Sequence, residues 1–317
     1  MLSRHLRRVT YLRLRAISSA GAQSLVAQVT EKGLLRRRLA RAHRRGEPGA
    51  TFLLQVVVGD LAERLAAVER HFPVAIAHGG QTEELAEALL ASGKVGRVYR
   101  LEQTEAALGP DRTAGAVGDE EALPLGPASI DLFVSTLALQ WTNDLPGALL
   151  QIRTALRPDG LLLGAMTGGD TLAELRQSLF AAESELRGGA SPRVIPAANV
   201  RDLGALLQRA GFALPVVDRD TVTARYDSAF DLFRELRAMG ATNALPERDR
   251  RPVGRRLFLR TAEIYAERFS DPDGRIRATF DIISLSGWAP HESQQKPAKR
   301  GSAEVSLAAV LGGKKER

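Results

Sequence analysis

Residues 129–166, SIDLFVSTLALQWTNDLPGALLQIRTALRPDGLLLGAM, constrain this chain more tightly than any other stretch. The run IDLFVSTLAL is apolar and carries β-branched residues. It is too short for a buried helix with its own caps, and suits a strand covered on both faces of a parallel sheet. Asn143 and Asp144 then supply an N-cap. From Asp144 to Leu156 the apolar residues Leu145, Ala148, Leu149, Ile152 and Leu156 recur at helical spacing, and Arg157-Pro158-Asp159-Gly160 closes the helix with breaker and turn chemistry. LLLGAM resumes as a second buried strand. Strand, crossover helix and strand in this order predict an α/β protein with a parallel sheet.

A crossover helix ending in RPDG between two such strands resembles the fourth and fifth strands of the Rossmann-like S-adenosylmethionine-dependent methyltransferases. More specifically, DLFVSTLALQWTNDLPGAL, RPDG, GAMTGGDTLAELR, AGF and GWAPHESQQKPAKRGSA resemble the mitochondrial complex I assembly factor family, methyltransferase-like proteins that act on an arginine of a complex I subunit. Matching segments run from about Leu34 to Ala303. A more distant similarity is to the malonyl-acyl carrier protein methyltransferase of biotin synthesis. The resemblance implies a seven-stranded class I methyltransferase fold with helical insertions, here expected at about 168–190 and 228–273.

Charge is distributed unevenly. Residues 1–45 hold 12 Lys and Arg against one acid, +11, so with a formal total of +7 the remaining 272 residues carry 7 − 11 = −4. The basicity belongs to an N-terminal arm, and the domain proper spans 46–303, followed by a disordered tail at 304–317. A globally basic nucleic-acid surface is not supported, and aromatics at 5% offer little for base stacking. Cysteine is absent, which excludes disulfides and thiolate metal sites from this chain. No apolar run approaches the roughly 20 residues needed to cross a bilayer; peripheral membrane contact stays open. Residues 1–30 lack acids and contain five Arg, the composition of an organelle transit peptide and equally of a bacterial extension. Both a cytoplasmic location in a bacterium and a mitochondrial matrix or inner-membrane location therefore stand. The run Arg36–Arg45 could touch phosphate or an acidic partner, or form a solvated helix face.

Phe52 to Ala67 reads as a helix, and Pro73 to Ala77 as the first strand. In the fold implied by the resemblance this strand ends in a glycine-rich turn, because the methionine part of the cofactor lies against backbone amides there. Here the stretch is Ala75-Ile76-Ala77-His78-Gly79-Gly80-Gln81. Ala75 stands where an acid is usual, and Ala77 and Gln81 replace two glycines. Only Gly79 sits in register, with Gly80 beside it. Two outcomes are open: a modified pocket built on His78, Gly79 and Gly80 that still binds S-adenosylmethionine, or a retained fold with a decayed cofactor site.

A helix over Thr82–Leu90 and a second strand, Gly96–Leu101, follow. Glu102 at its end can accept from ribose hydroxyls. After a third strand at about Thr113–Val117, the resemblance assigns adenine recognition to Asp119 and Glu120. The fourth strand ends at Ser135-Thr136-Leu137, where Leu137 and Trp141 are expected to wall the reaction pocket and Gln140 to orient an acceptor. Farther on, Asp170 is expected to cap a helix over Thr171–Leu186, and Leu214–Tyr226 to form two extended pieces around Asp218–Asp220.

Methyl transfer from a sulfonium needs no metal, only proximity, orientation and a deprotonated acceptor. The five histidines, at 5, 43, 71, 78 and 291, form no metal-ligand spacing, and no Ser–His–Asp pattern is present. Catalytic residues are not assigned. Three readings remain: methyl transfer to a protein substrate, such as a complex I subunit; arginine hydroxylation, as the resemblance implies; and a non-catalytic assembly factor that recognises its partner through the helical insertions.

Overall fold

The computed structural model describes residues 28–47, 49–109, 114–196 and 199–295. Expectations for residues 1–27, for Thr113, and for everything after Gln295 lie outside the described residues.

Seven strands form one sheet: β1 (Phe72–His78), β2 (Val95–Glu102), β3 (Gly115–Val117), β4 (Ile130–Thr136), β5 (Leu156–Thr167), β6 (Ala213–Tyr226) and β7 (Ile276–Trp288). Their spatial order is β3-β2-β1-β4-β5-β7-β6. The first five are parallel, and β7 inserts antiparallel between β5 and β6. The apolar runs read as doubly covered strands behave accordingly. Ala75, Ala77, Leu132, Val134, Leu161 and Leu163 point to one core, while Ile76, Phe133 and Leu162 point to the other. This is the period-2 alternation of a strand buried on both sides.

The first core is covered by α2 (Phe52–Ala66), α3 (Glu84–Ala91), α6 (Ala173–Arg187), α8 (Ala229–Ala238) and α9 (Arg255–Phe269), the second by α5 (Leu145–Ala155) and α7 (Val200–Arg209). The single turn α4 (Glu105–Leu108) follows β2. Among the described residues no helix is long and apolar enough to cross a membrane.

Several local expectations are corrected. Helix α5 does end at Ala155, with Asp144 accepting from the Gly147 amide as its cap, but RPDG is not a separate turn. It opens β5, where the pairing register with β4 shifts between Ile130 and Leu132. Asp159 takes a positive φ of 66° there, and Arg157 is fixed by Asp131 at 2.8 Å. Asp170 caps nothing: Leu172 holds the position before α6, and the Asp170 carboxylate pairs with Arg219 instead. Residues 213–226 form one continuous strand rather than two pieces. Asp218 and Asp220 do not interrupt it because Arg64 of α2 meets both carboxylates, at 2.6 and 3.5 Å.

The basic arm divides. From Gln28 onward it belongs to the packed body. Helix α1 (Lys32–Arg45) buries Leu35, Leu39 and Ala42, and its first two contribute to a small core with Ala244 and the partly buried Trp141. The chain leading into it is tied down as well. Asn143 Oδ1 accepts from the amides of Val29 and Thr30, each at 2.8 Å, and Arg248 holds Glu31 at 2.6 Å. Leu35 is fully buried, so Leu35→Ala is expected to cost about 2–4 kcal/mol in denaturant unfolding. An unchanged midpoint would mean that α1 is a solvated arm.

Candidate functional site

The carboxyl ends of β1, β2 and β4 meet beneath α1, at the place where open α/β sheets bind ligands. Two spaces lie there. A narrow crevice of about 20 Å³ is lined by Gly79, Gln81, Glu102, Gln103 and Leu137 from below and by Leu39 and His43 of α1 from above. A chamber of about 630 Å³ opens beside it, enclosed by α1, α2, α6, α8, α9 and the 241–245 segment. Leu39, Gln81, Leu137 and Trp141 line both.

The turn after β1 keeps one glycine for a steric reason. Gly79 has φ +74°, and a Cβ there would sit 2.4 Å from Ala138 Cβ and 2.9 Å from the Thr136 carbonyl oxygen. Gln81, at φ +53°, holds a left-handed conformation with a side chain in place, which costs on the order of 1 kcal/mol. Gly80 has an ordinary backbone and does not line the crevice.

Glu102 is the best-placed acid. It is buried at the end of β2, accepts from the Gln81 amide at 3.2 Å and faces Arg100 at 3.2 Å. Burial pushes its carboxyl up to about 7, against the Arg100 charge and the Gln81 amide that favour ionisation.

His78, Asp119 and Glu120 come together, but not in the crevice. His78 is buried, with Nδ1 2.9 Å from Ser135 Oγ and Nε2 3.4 Å from Glu120 Oε1. Glu120 is equally buried and also meets Gln103 Nε2 and, at 2.8 Å, Lys32 Nζ from α1. Lys32 further approaches Asp119 and Glu121, both at 3.4 Å, while Arg36 one helical turn on reaches Asp119 at 2.5 Å. Burial works against the Glu120 carboxylate, yet the His78 contact and the Lys32 ammonium hold it below the ordinary carboxylate range. Burial likewise opposes the Lys32 charge, and the carboxylates, Glu120 foremost, raise its pKa above that of a free lysine. The acids expected to recognise adenine are thus committed to α1.

Of the pocket candidates, Leu137 has φ +46° and donates to the Ala165 carbonyl at 2.9 Å. Gln140 Nε2 donates to the Leu137 carbonyl at 2.7 Å, leaving its Oε1 buried without a partner. Trp141 forms the wall between crevice and chamber. The sequence reading misses Lys32; Arg36 does find an acidic partner, one of the two outcomes open for its run, and Asn143, expected to cap α5, instead holds the chain ahead of α1. The i, i+4 spacing of Lys32 and Arg36 is the one signal that could have marked a common partner.

Comparison with known proteins agrees with this architecture. A family model described as "Methyltransferase domain" matches residues 73–164, from β1 through most of β5. The chain is 40% identical over 285 residues to the human protein named arginine-hydroxylase NDUFAF5, mitochondrial, covering 88% of this chain and 82% of that protein. The chain belongs to this family. It is a methyltransferase-like member of the complex I assembly group, and the zebrafish (Danio rerio) protein of the same name is 41% identical over 81% of each chain. A malonyl-[acyl-carrier protein] O-methyltransferase of Methylovorus is 34% identical, covering 83% of this chain and 91% of that one. Among solved structures, a putative methyltransferase from Bacillus halodurans shares the fold at a TM-score of 0.50 and 16% identity, over 74% of this chain and 99% of that one.

The fit of S-adenosylmethionine can be tested on the crevice itself. Gly79 and Glu102 suit it. Against them stand Gln81 where a glycine is usual, a carboxylate cluster engaged by α1, and a volume close to that of one water, whereas small-molecule sites ordinarily span about 300–1,000 Å³. The crevice by itself is too small for the cofactor, and the space continuous with it at Leu39, Gln81, Leu137 and Trp141 is the chamber.

Because the Glu102 pKa is raised in the folded state, its contribution favours folding fully below the unfolded value of 4.5 and is lost as pH rises to about 7. Glu102→Gln, which keeps an acceptor for the Gln81 amide, is expected to gain stability over the parent across that window, by on the order of 3 kcal/mol at pH 8. A stability difference independent of pH would contradict this placement of Glu102.

Proposed function

We propose that this chain is an assembly factor that holds its client in the chamber beneath α1, with the crevice of the methyltransferase frame closed to the methyl donor. The observation that carries this reading is the contrast between the two spaces: about 630 Å³ for a client group and about 20 Å³ where a donor would lie. The client is a protein, in keeping with the complex I assembly family, and it engages the chain where α6, α8 and α9 rim the chamber. The mitochondrial names of the vertebrate relatives suit a matrix or inner-membrane location, and a bacterial cytoplasm offers the same chemistry.

Methyl transfer is the second reading, favoured by Glu102 at the end of β2 and by the retained Gly79 turn. In that case Glu102 would hold the cofactor's ribose hydroxyls, Gly79 would let the chain pass close to its methionine portion, and the cofactor would supply an electrophilic methyl group. Leu137 and Trp141 would exclude water from the acceptor. Arginine hydroxylation, the activity in the relatives' names, is a third.

Calorimetric titration of the full chain with S-adenosylmethionine separates the first two. We expect no binding up to about 1 mM, corresponding to less than roughly 4 kcal/mol of binding free energy. Micromolar binding that Glu102→Ala abolishes would overturn the proposal in favour of methyl transfer.

A further inference from the structure

The two sides of the crevice are built differently. Its floor belongs to the strand ends and is polar: Glu102 and Gln103 both line it, and Gln103 Oε1 is buried without a partner while its Nε2 is committed to Glu120. Gln103 is only 8% exposed, and a buried acceptor left free calls for a donor on a bound group. An acid at the end of the second strand is also where open α/β sheets receive ribose hydroxyls. The roof is Leu39 and His43, both from α1.

Three contacts bring α1 down onto this floor. Lys32 reaches Asp119, Glu120 and Glu121, at 3.4, 2.8 and 3.4 Å, and Arg36 reaches Asp119 at 2.5 Å. The exocyclic amine of a nucleobase is an N–H donor too, so helix and base compete for the carboxylates after β3. The third contact comes from the other side of the helix. Gly240, in the turn after α8, has φ +74°, and a Cβ there would lie 3.0 Å from Leu39 Cδ2 and 3.1 Å from Leu39 Cα. A left-handed φ by itself would admit asparagine; the close approach does not. A residue without a side chain is what lets the α1 backbone settle at Leu39, the residue that roofs the crevice.

We infer that α1 is an internal competitor for a ribonucleoside site on this strand edge. Lys32 and Arg36 hold the carboxylates after β3 that would accept from a base, and Leu39 and His43 cover the Glu102 and Gln103 acceptors that would receive ribose hydroxyls. The barrier to a nucleoside is therefore the helix, and the edge beneath it, including the Gln81 turn, remains competent. This rests on the closed-crevice reading above and names the element that closes it. It is independent of what the chamber holds.

The test is equilibrium titration with adenosine, paired with hydrogen exchange along α1, on the full chain and on two variants that loosen the helix from opposite sides. Gly240→Asn introduces a residue that tolerates the left-handed φ and pushes Leu39 away. Lys32→Met/Glu120→Gln removes both partners of the buried pair, so that neither charge is left unpartnered. We expect the parent to show no binding up to about 1 mM and each variant to bind one adenosine at about 0.1 mM or tighter, a gain of at least about tenfold, or about 1.4 kcal/mol. Residues 36–45 are expected to exchange faster in both variants. Replacing adenosine by 2′-deoxyadenosine, or adding Glu102→Ala to Gly240→Asn, is expected to weaken binding about tenfold. Released α1 without adenosine binding, exchange along α1 that neither variant changes, or loss of the fold in both would overturn the inference. Adenosine binding by the parent as tight as by the variants would instead refute the closed-crevice reading itself and leave α1 no role as a competitor.

Discussion

The contact of Lys32 with Glu120 is the constraint on which the site depends. Glu120 is buried beside His78 and Gln103, where an unpartnered carboxylate would be costly, and the ammonium that compensates it comes from a helix outside the sheet. Satisfying that buried charge therefore fixes α1 over the ends of β1 and β2. Arg36 on Asp119 and the Leu35–Leu39 pair against Ala244 and Trp141 hold the same helix from its other positions. Once α1 is down, Leu39 and His43 become the roof of the crevice, and Arg38, Arg41 and Arg45 one side of the chamber. A single helix thus determines the size of one space and the charge of the other.

His78 completes this exchange of roles. A side chain at the end of β1 that reaches Ser135 on β4 and Glu120 after β3 ties three segments of the sheet's carboxyl edge together. The same edge in a cofactor-binding frame has to stay open. Here His78, Ser135, Glu120 and Lys32 satisfy one another, and the remaining buried acid of the edge, Glu102, is shifted toward its neutral form. Rigidity at this edge and room for a donor are competing uses of the same few residues.

Much of the fold was legible in the sequence, because it rests on local patterns. The continuous apolar run at 130–136 reads as a doubly covered strand, and the spacing of Ala148, Leu149 and Ile152 reads as the buried face of α5. What was not legible depends on partners far along the chain. Asp218 and Asp220 look like an interruption of a strand until Arg64, some 154 residues away, neutralises both. RPDG looks like a turn until the shifted register with β4 draws it into β5. Lys32 and the Arg36–Arg45 run look like a solvated face until Glu120, 88 residues distant, is found to need a cation. The position of Glu102 at the end of β2 is legible in the sequence, and its altered protonation is not, because burial causes it.

The most direct measurement of this account is amide hydrogen exchange along α1, with and without S-adenosylmethionine. If Lys32 and Leu35 clamp the helix, the amides of residues 36–45 exchange only with global unfolding, and 1 mM cofactor, roughly a millimolar-affinity threshold, leaves them and residues 79–85 unchanged. Rapid exchange in α1, or new protection of the turn after β1 on adding cofactor, would contradict it: the crevice would then be a working donor site beneath a mobile helix.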